Sequence, residues 1–118
     1  MSYSFLRVEI RRYCTSTGKD VFGHWLGRCG DATAKAAILV RLARLEAGNA
    51  GDCKAIGRGV WELRIDHGPG YRVYFARVGK EILLLLCAGD KRSQSTDMKT
   101  ARGLLADYRR RETQRRRR

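Results

Sequence analysis

Between residues 59 and 75 apolar and polar positions alternate on either side of a Gly68-Pro69-Gly70 turn. A period of two belongs to a strand with distinct faces, so the stretch predicts a β-hairpin. Trp61, Leu63 and Ile65 share one side of the first strand, and Glu62, Arg64 and Asp66 the other. On the second strand Tyr71, Val73 and Phe75 share a side, and Arg72 and Tyr74 oppose them. If both apolar sets face one core, Arg64, Arg72 and Tyr74 converge on an accessible, cationic face.

The same reading extends along the chain. Residues 5–11 alternate with Leu6, Val8 and Ile10 on one side, which predicts a strand. Asp20 caps a short helix with Val21, Phe22, Trp25 and Leu26 as its apolar stripe, and Gly27 and Gly30 end it. Asp31 caps a second helix reaching about Ala47, with Ile38, Leu42 and Leu45 on its stripe and Leu39 beside them. Arg41 and Arg44 lie off that stripe. The two form a helical hairpin whose apolar face needs a sheet.

Residues 53–56 predict a short strand carrying Lys54, followed by the opening hairpin. The apolar run 82–87 has no polar alternation and suits a central strand covered on both faces. After the loop Gly89-Asp90-Lys91-Arg92, a last helix begins near Ser95 or Thr96 and carries Met98, Ala101, Leu105 and Tyr108. Short turns between the later strands join antiparallel neighbours. The fold class is α+β, a small antiparallel twisted sheet with the N-terminal helical hairpin packed on one face and a C-terminal helix.

Composition narrows the function. The 118 residues suit one domain, 43% of them hydrophobic. The net charge of +13 points to a polyanionic partner. Residues 109–118 hold seven arginines and one glutamate, a net +6, so the body keeps +7 of the +13. We divide the chain into a domain, 1–108, and an Arg-rich disordered tail, 109–118. Cys14, Cys29, Cys53 and Cys87 form no Cys-x-x-Cys pair, and with two histidines they give no ordinary zinc set. No apolar run spans a bilayer, and no leader pattern opens the chain, so the expectation is a reduced, cytoplasmic protein with free thiols, away from membranes.

Several strings carry a resemblance. Gly51-Asp52, Lys54, Gly57-x-Gly59-Val60-x-Glu62-Leu63-Arg64-Ile65-Asp66-x-Gly68-Pro69-Gly70-Tyr71-Arg72-Val73-Tyr74-Phe75 and Gly89-Asp90-Lys91-x-Ser93-Gln94 are the most specific. From about Tyr3 to Tyr108 the chain resembles the HigB-like "addiction module killer protein" branch of the RelE/ParE toxin superfamily. The resemblance implies a RelE-like fold and a type II toxin that cuts messenger RNA on the ribosome and so inhibits translation. It implies a cognate helix-turn-helix antitoxin as partner, with operator DNA bound only by the toxin–antitoxin complex. Other superfamily members poison DNA gyrase, so that reading stays open beside a non-enzymatic module that binds an antitoxin or nucleic acid.

Cleavage by an RNA 2′-hydroxyl needs a stabilised phosphorane and a proton for the leaving oxygen. His24 falls in a helix and His67 at a hairpin tip, so neither forms a catalytic pair. The expectation is a site without metal or cofactor in which cations hold the charge. Arg72, which matches a functional arginine of the family, heads the candidates, with Arg64, Lys91 and Arg92 beside it. The RelE branch has a catalytic tyrosine where this chain has Ser95 to Met98, which leaves Tyr74 as the candidate replacement. Lys54, Arg41 and Arg44 are candidates for contact with the RNA backbone.

Overall fold

The computed structural model describes residues 7–117, and residues 3–4 by their backbone alone. Among the described residues, seven strands and three α-helices follow in the order β1 (Tyr3–Ser4), β2 (Glu9–Arg12), α1 (Val21–Arg28), α2 (Ala32–Glu46), β3 (Asn49–Gly51), β4 (Cys53–Gly57), β5 (Val60–Ile65), β6 (Tyr71–Gly79), β7 (Ile82–Asp90) and α3 (Gln94–Arg116), with a 3-10 turn at Lys91–Ser93. The expected stripe residues Phe5 and Leu6 lie outside the described residues. Val8 is buried just before β2.

Both helices of the hairpin start where a carboxylate can satisfy free backbone donors. Asp20 accepts from the Gly23 amide at 2.9 Å, and Asp31 accepts from the Thr33 and Ala34 amides at 2.9 and 3.2 Å. Ala34, Ile38, Leu42 and Leu45 then bury one face of α2. Leu39, expected beside that stripe, lies on the outer face with Val40, each about half exposed.

The main sheet has the order β2-β7-β6-β5-β4, and β1 pairs with β3 in a separate two-stranded ribbon. Contrary to the expected antiparallel sheet, β2 runs parallel to β7, with Glu9 opposite Ile82 and Arg12 opposite Leu85. The chain crosses α1, α2 and four strands before β7, so no local turn constrains this pair to be antiparallel.

Helices cover both faces of the sheet, the hairpin one and α3 the other. Phe22, Ile38, Leu42 and Leu45 pack on Leu63, Ile65, Val73, Phe75, Leu83 and Leu85. Across the sheet, Ala101 and Leu105 of α3 pack on Val60, Tyr74, Ala76, Leu84 and Leu86. This explains the apolar run in β7, which has side chains buried on either side. The polar side of β5 and β6 therefore lies under a helix.

Residues 109–116, expected to be disordered, continue α3. Arg111 pairs with Asp107 four residues earlier at 3.0 Å and donates to the Cys14 carbonyl at 2.8 Å. Arg109 donates to the Arg58 carbonyl at 3.3 Å. Pairs at i,i+4 favour the helix, and these contacts tie its later turns to the body.

Candidate functional site

The ladder between β5 and β6 sets Glu62 opposite Tyr74 and Arg64 opposite Arg72, all on the side facing α3. Two guanidinium groups directly across a ladder repel each other. Glu62, two residues along from Arg64, offsets that repulsion. Its carboxylate is fully buried and lies 3.3 Å from Arg64 Nε and 3.6 Å from Arg72 Nε. Tyr74 Oη donates to the same carboxylate at 3.1 Å, and Gln94 Nε2, from the first turn of α3, donates at 2.9 Å. The cluster thus carries a net single positive charge, not two.

The two arginines differ in exposure. The side chain of Arg64 is 37% exposed and that of Arg72 is 15% exposed. Arg72 Nε is buried and donates no hydrogen bond among the described residues. A guanidinium has four further N–H donors on its two amino groups. Those of Arg72 also donate to none of the described residues, which leaves them for an anion.

Tyr74 does not lie on an accessible face. It is fully buried. Burial, followed by the adjacent Glu62 carboxylate, raises its phenol above the usual range, so it keeps its proton and donates. It cannot stack on a base from this position, and it serves Glu62.

The loop after β7 closes one end of the cluster. The Lys91 amide donates to the Gly70 carbonyl at 3.0 Å, which ties this loop to the hairpin turn. Gly68 and Gly70 both have positive φ, 55° and 85°, so the turn suits glycine on either side of Pro69. Arg92 is held by Asp90, with Nη2 2.8 Å and Nε 3.2 Å from one carboxylate oxygen. The Arg92 guanidinium, foremost, holds the Asp90 carboxyl below its usual range. The Lys91 side chain is exposed and makes no ion pair among the described residues.

Gly89, opposite Arg72 in the β6–β7 ladder, leaves no room for a side chain. A Cβ there would collide with the Asp97 carboxylate and stand 2.7 Å from Ser93 Oγ. Ser93 donates to Asp97, while burial holds the Asp97 carboxyl above its ordinary value. Cys87 is buried below, its thiol pushed up to about 12, mainly by burial.

The remaining candidates lie around this cluster. Lys54 is exposed on β4, directly across from Glu62. Arg41 is half-buried and its Nη2 donates to the carbonyls of Ala50, Asp52 and Arg64 at 3.1, 3.4 and 3.3 Å. It clasps α2 to the strands through this one nitrogen. Arg44 is exposed near it, beside a cleft also lined by Asp52, Arg64 and Asp66. The structure therefore gathers Arg64, Arg72 and Tyr74, sets Lys91 and Arg92 at their rim and Lys54 on the neighbouring strand, and places Arg41 and Arg44 in a cleft on the far side of Arg64. Glu62 and Gln94 complete the cluster. Alternation placed Glu62 beside Arg64, but only α3 makes it a buried hub.

The comparisons with known proteins bear on this region. The family model described as phage-derived protein Gp49-like (DUF891) matches residues 28–108, a span that holds every residue of the cluster. A Haemophilus influenzae protein, described only as uncharacterized, is 46% identical over 81 residues, which cover 69% of this chain and 82% of that protein. The chain belongs to the phage-derived Gp49-like family, a toxin-like family of the RelE/HigB addiction-module type.

Proposed function

We propose that this protein is the toxin of a type II toxin–antitoxin pair, with a fold related to that of RelE, and that it is a ribosome-dependent endoribonuclease acting on messenger RNA. The observation that carries the reading is the Arg64–Arg72 pair, set across one ladder and oriented by the buried Glu62. A forked guanidinium suits the charge of a phosphorane. In the proposed step the 2′-oxygen bonds to the adjacent phosphorus as the bond from phosphorus to the 5′-oxygen breaks. The 2′-hydroxyl proton passes to solvent, and Lys91, an exposed cation at the rim without an ion pair among the described residues, gives a proton to the leaving 5′-oxygen. The products are a 2′,3′-cyclic phosphate and a 5′-hydroxyl. Arg72, with Arg64, holds the non-bridging oxygens, and Arg92 adds to the field from its place on Asp90. Lys54 and Arg44 contact the RNA backbone farther out. The partners in this reading are the translating ribosome with its message and a helix-turn-helix antitoxin, with operator DNA reached only through that complex.

The test is a brief induction in cells, followed by mapping of new 5′ ends in translated messages. The reading expects cuts from the wild-type chain and none from Arg72→Ala protein that is folded and equally abundant. Folded Arg72→Ala protein that remains fully toxic overturns the site. Double-strand DNA breaks with translation continuing would favour gyrase as target, and ribosome binding without any cleavage would favour a non-enzymatic module.

A further inference from the structure

The second feature able to receive nucleic acid is a cleft of about 500 Å³ beyond the hairpin turn, a size common for small-ligand sites. It opens because β2 pairs only with Ile82 to Leu85 of β7, so the following residues of β7 have no strand outside them. Instead α1 and the start of α3 flank that edge. Tyr71 of β6 and Trp25 of α1 meet there edge to face, ring centres 6.0 Å apart and planes at 69°. Both rings are partly exposed and both line the cleft.

Its charges are unequal in availability. Arg92 at one rim is bound to Asp90. Lys19 and Arg28, which also line the cleft, make no ion pair among the described residues. Asp97 also lines the cleft, its carboxyl held above its ordinary value by burial; two free cations beside an aromatic pair still fit one ligand chemistry better than others, a flat ring attached to a phosphate. An apolar peptide would leave both charges unsatisfied. Tyr71 and Arg72 are chain neighbours whose side chains leave opposite faces of the sheet, but the cleft is lined by Trp25 and Tyr71 on one side and by Asp97 and Thr100 of α3 on the other, so an RNA strand that passes round this edge reaches both places.

We infer that this cleft is a nucleobase subsite, in which a base next to the scissile phosphate stacks on the Trp25–Tyr71 pair while Lys19 and Arg28 hold its phosphate. The inference rests on the RNA-cleaving reading above and adds to it a site for one unstacked nucleotide. Base stacking on an aromatic side chain is worth roughly 1–3 kcal/mol, so loss of Trp25 should weaken binding by about fivefold to a hundredfold.

The test uses purified protein and an RNA trinucleotide carrying 2′-O-methyl groups, which lacks the attacking hydroxyl and cannot be cut. A second probe of equal charge has an abasic central position. Wild type should bind the intact probe at least about fivefold more tightly than the abasic one. Trp25→Phe should keep most of that preference and Trp25→Leu should lose it, with phosphate-driven binding of the abasic probe unchanged. Should Trp25→Leu fail to fold, Trp61→Phe leaves Trp25 as the sole tryptophan of the chain's two. Its fluorescence should then respond to the intact probe and not to the abasic one. Equal binding of the two probes by wild type, or an equal response of Trp25 to both, overturns the inference. Because the probe cannot be cut, either outcome is independent of whether Arg72 supports cleavage. Equal binding of the two probes by wild type, alongside Arg72-dependent cutting, would reject this inference alone.

Discussion

The two faces of the sheet are both buried, yet they are built from different chemistry. Against the α1–α2 hairpin, the core residues are almost wholly apolar, from Phe22 and Ile38 to Leu63 and Phe75. Against α3, Leu105 and Ala101 share the face with Tyr74 and Cys87, and Glu62 is buried beside them under Gln94. The first face can be filled by any well-packed hydrocarbon. On the second, each polar group depends on a named partner. The hairpin face secures the fold, and the α3 face uses that security to hold cations beside a buried carboxylate.

Substitutions on the two faces should therefore fail differently. The largest expected effect is on the hairpin side: Phe22→Ala should destabilise by roughly 3–5 kcal/mol by leaving a cavity at a fully buried ring. Chemical denaturation at neutral pH would measure it. On the α3 side, Glu62→Ala should cost roughly 2–4 kcal/mol, because Tyr74, Gln94 and Arg64 lose their acceptor and Arg72 loses its counter-charge. Unlike Phe22→Ala, it should also lower RNA cleavage in the fraction that remains folded, since it lets Arg64 and Arg72 drift apart. A Glu62→Ala protein as active as wild type would break the contrast.

Alkali should weigh more heavily on the α3 face, although burial also raises the Cys53 thiol on the hairpin side. Cys87 has its thiol pushed from 9.0 up to about 12, and the Tyr74 phenol is raised in the same direction. Between the unfolded and folded values the folded chain holds more protons than the unfolded one. Stability from these groups is therefore complete below about pH 9 and falls as pH rises toward 12. Urea titrations at a series of pH values should show the fall weakened in Cys87→Ala, while Phe22→Ala leaves its slope unchanged. The smallest effect is that of Tyr74→Phe, which removes one hydrogen bond to Glu62 and should cost about 1 kcal/mol. Because its phenol is buried, cleavage by Tyr74→Phe should stay near wild type. A large loss of cleavage with the melt preserved would return Tyr74 to the reaction.

The same contrast explains what could be read from the chain. Caps at Asp20 and Asp31 and the stripes behind them are local, so both hairpin helices were legible, as was the opposition of Arg64 and Arg72 across a short turn. The cover over their face was not. Met98, Ala101 and Leu105 mark an apolar stripe, but a stripe does not say which side of a sheet it lies on, and so Tyr74 read as accessible. The parallel pairing of β2 with β7 joins residues some seventy positions apart, and no local pattern encodes it. The arginine run read as disorder because its charges repel. Asp107 and the carbonyls of Cys14 and Arg58 hold its first turns in helix. The clasp made by Arg41 was not legible because its backbone acceptors lie in two stretches distant from it in sequence, residues 50–52 and Arg64.

The most direct measurement is single-turnover cleavage of a message on programmed ribosomes by purified wild type and Arg72→Ala, with a thermal melt of each. Removing one preorganised donor to a developing charge typically slows a reaction by about 10²–10³-fold. The account predicts a loss of about that size with the melt nearly unchanged, because Arg72 Nε makes no hydrogen bond within the described fold. Cleavage by Arg72→Ala at the wild-type rate, from a protein with an unchanged melt, would contradict it.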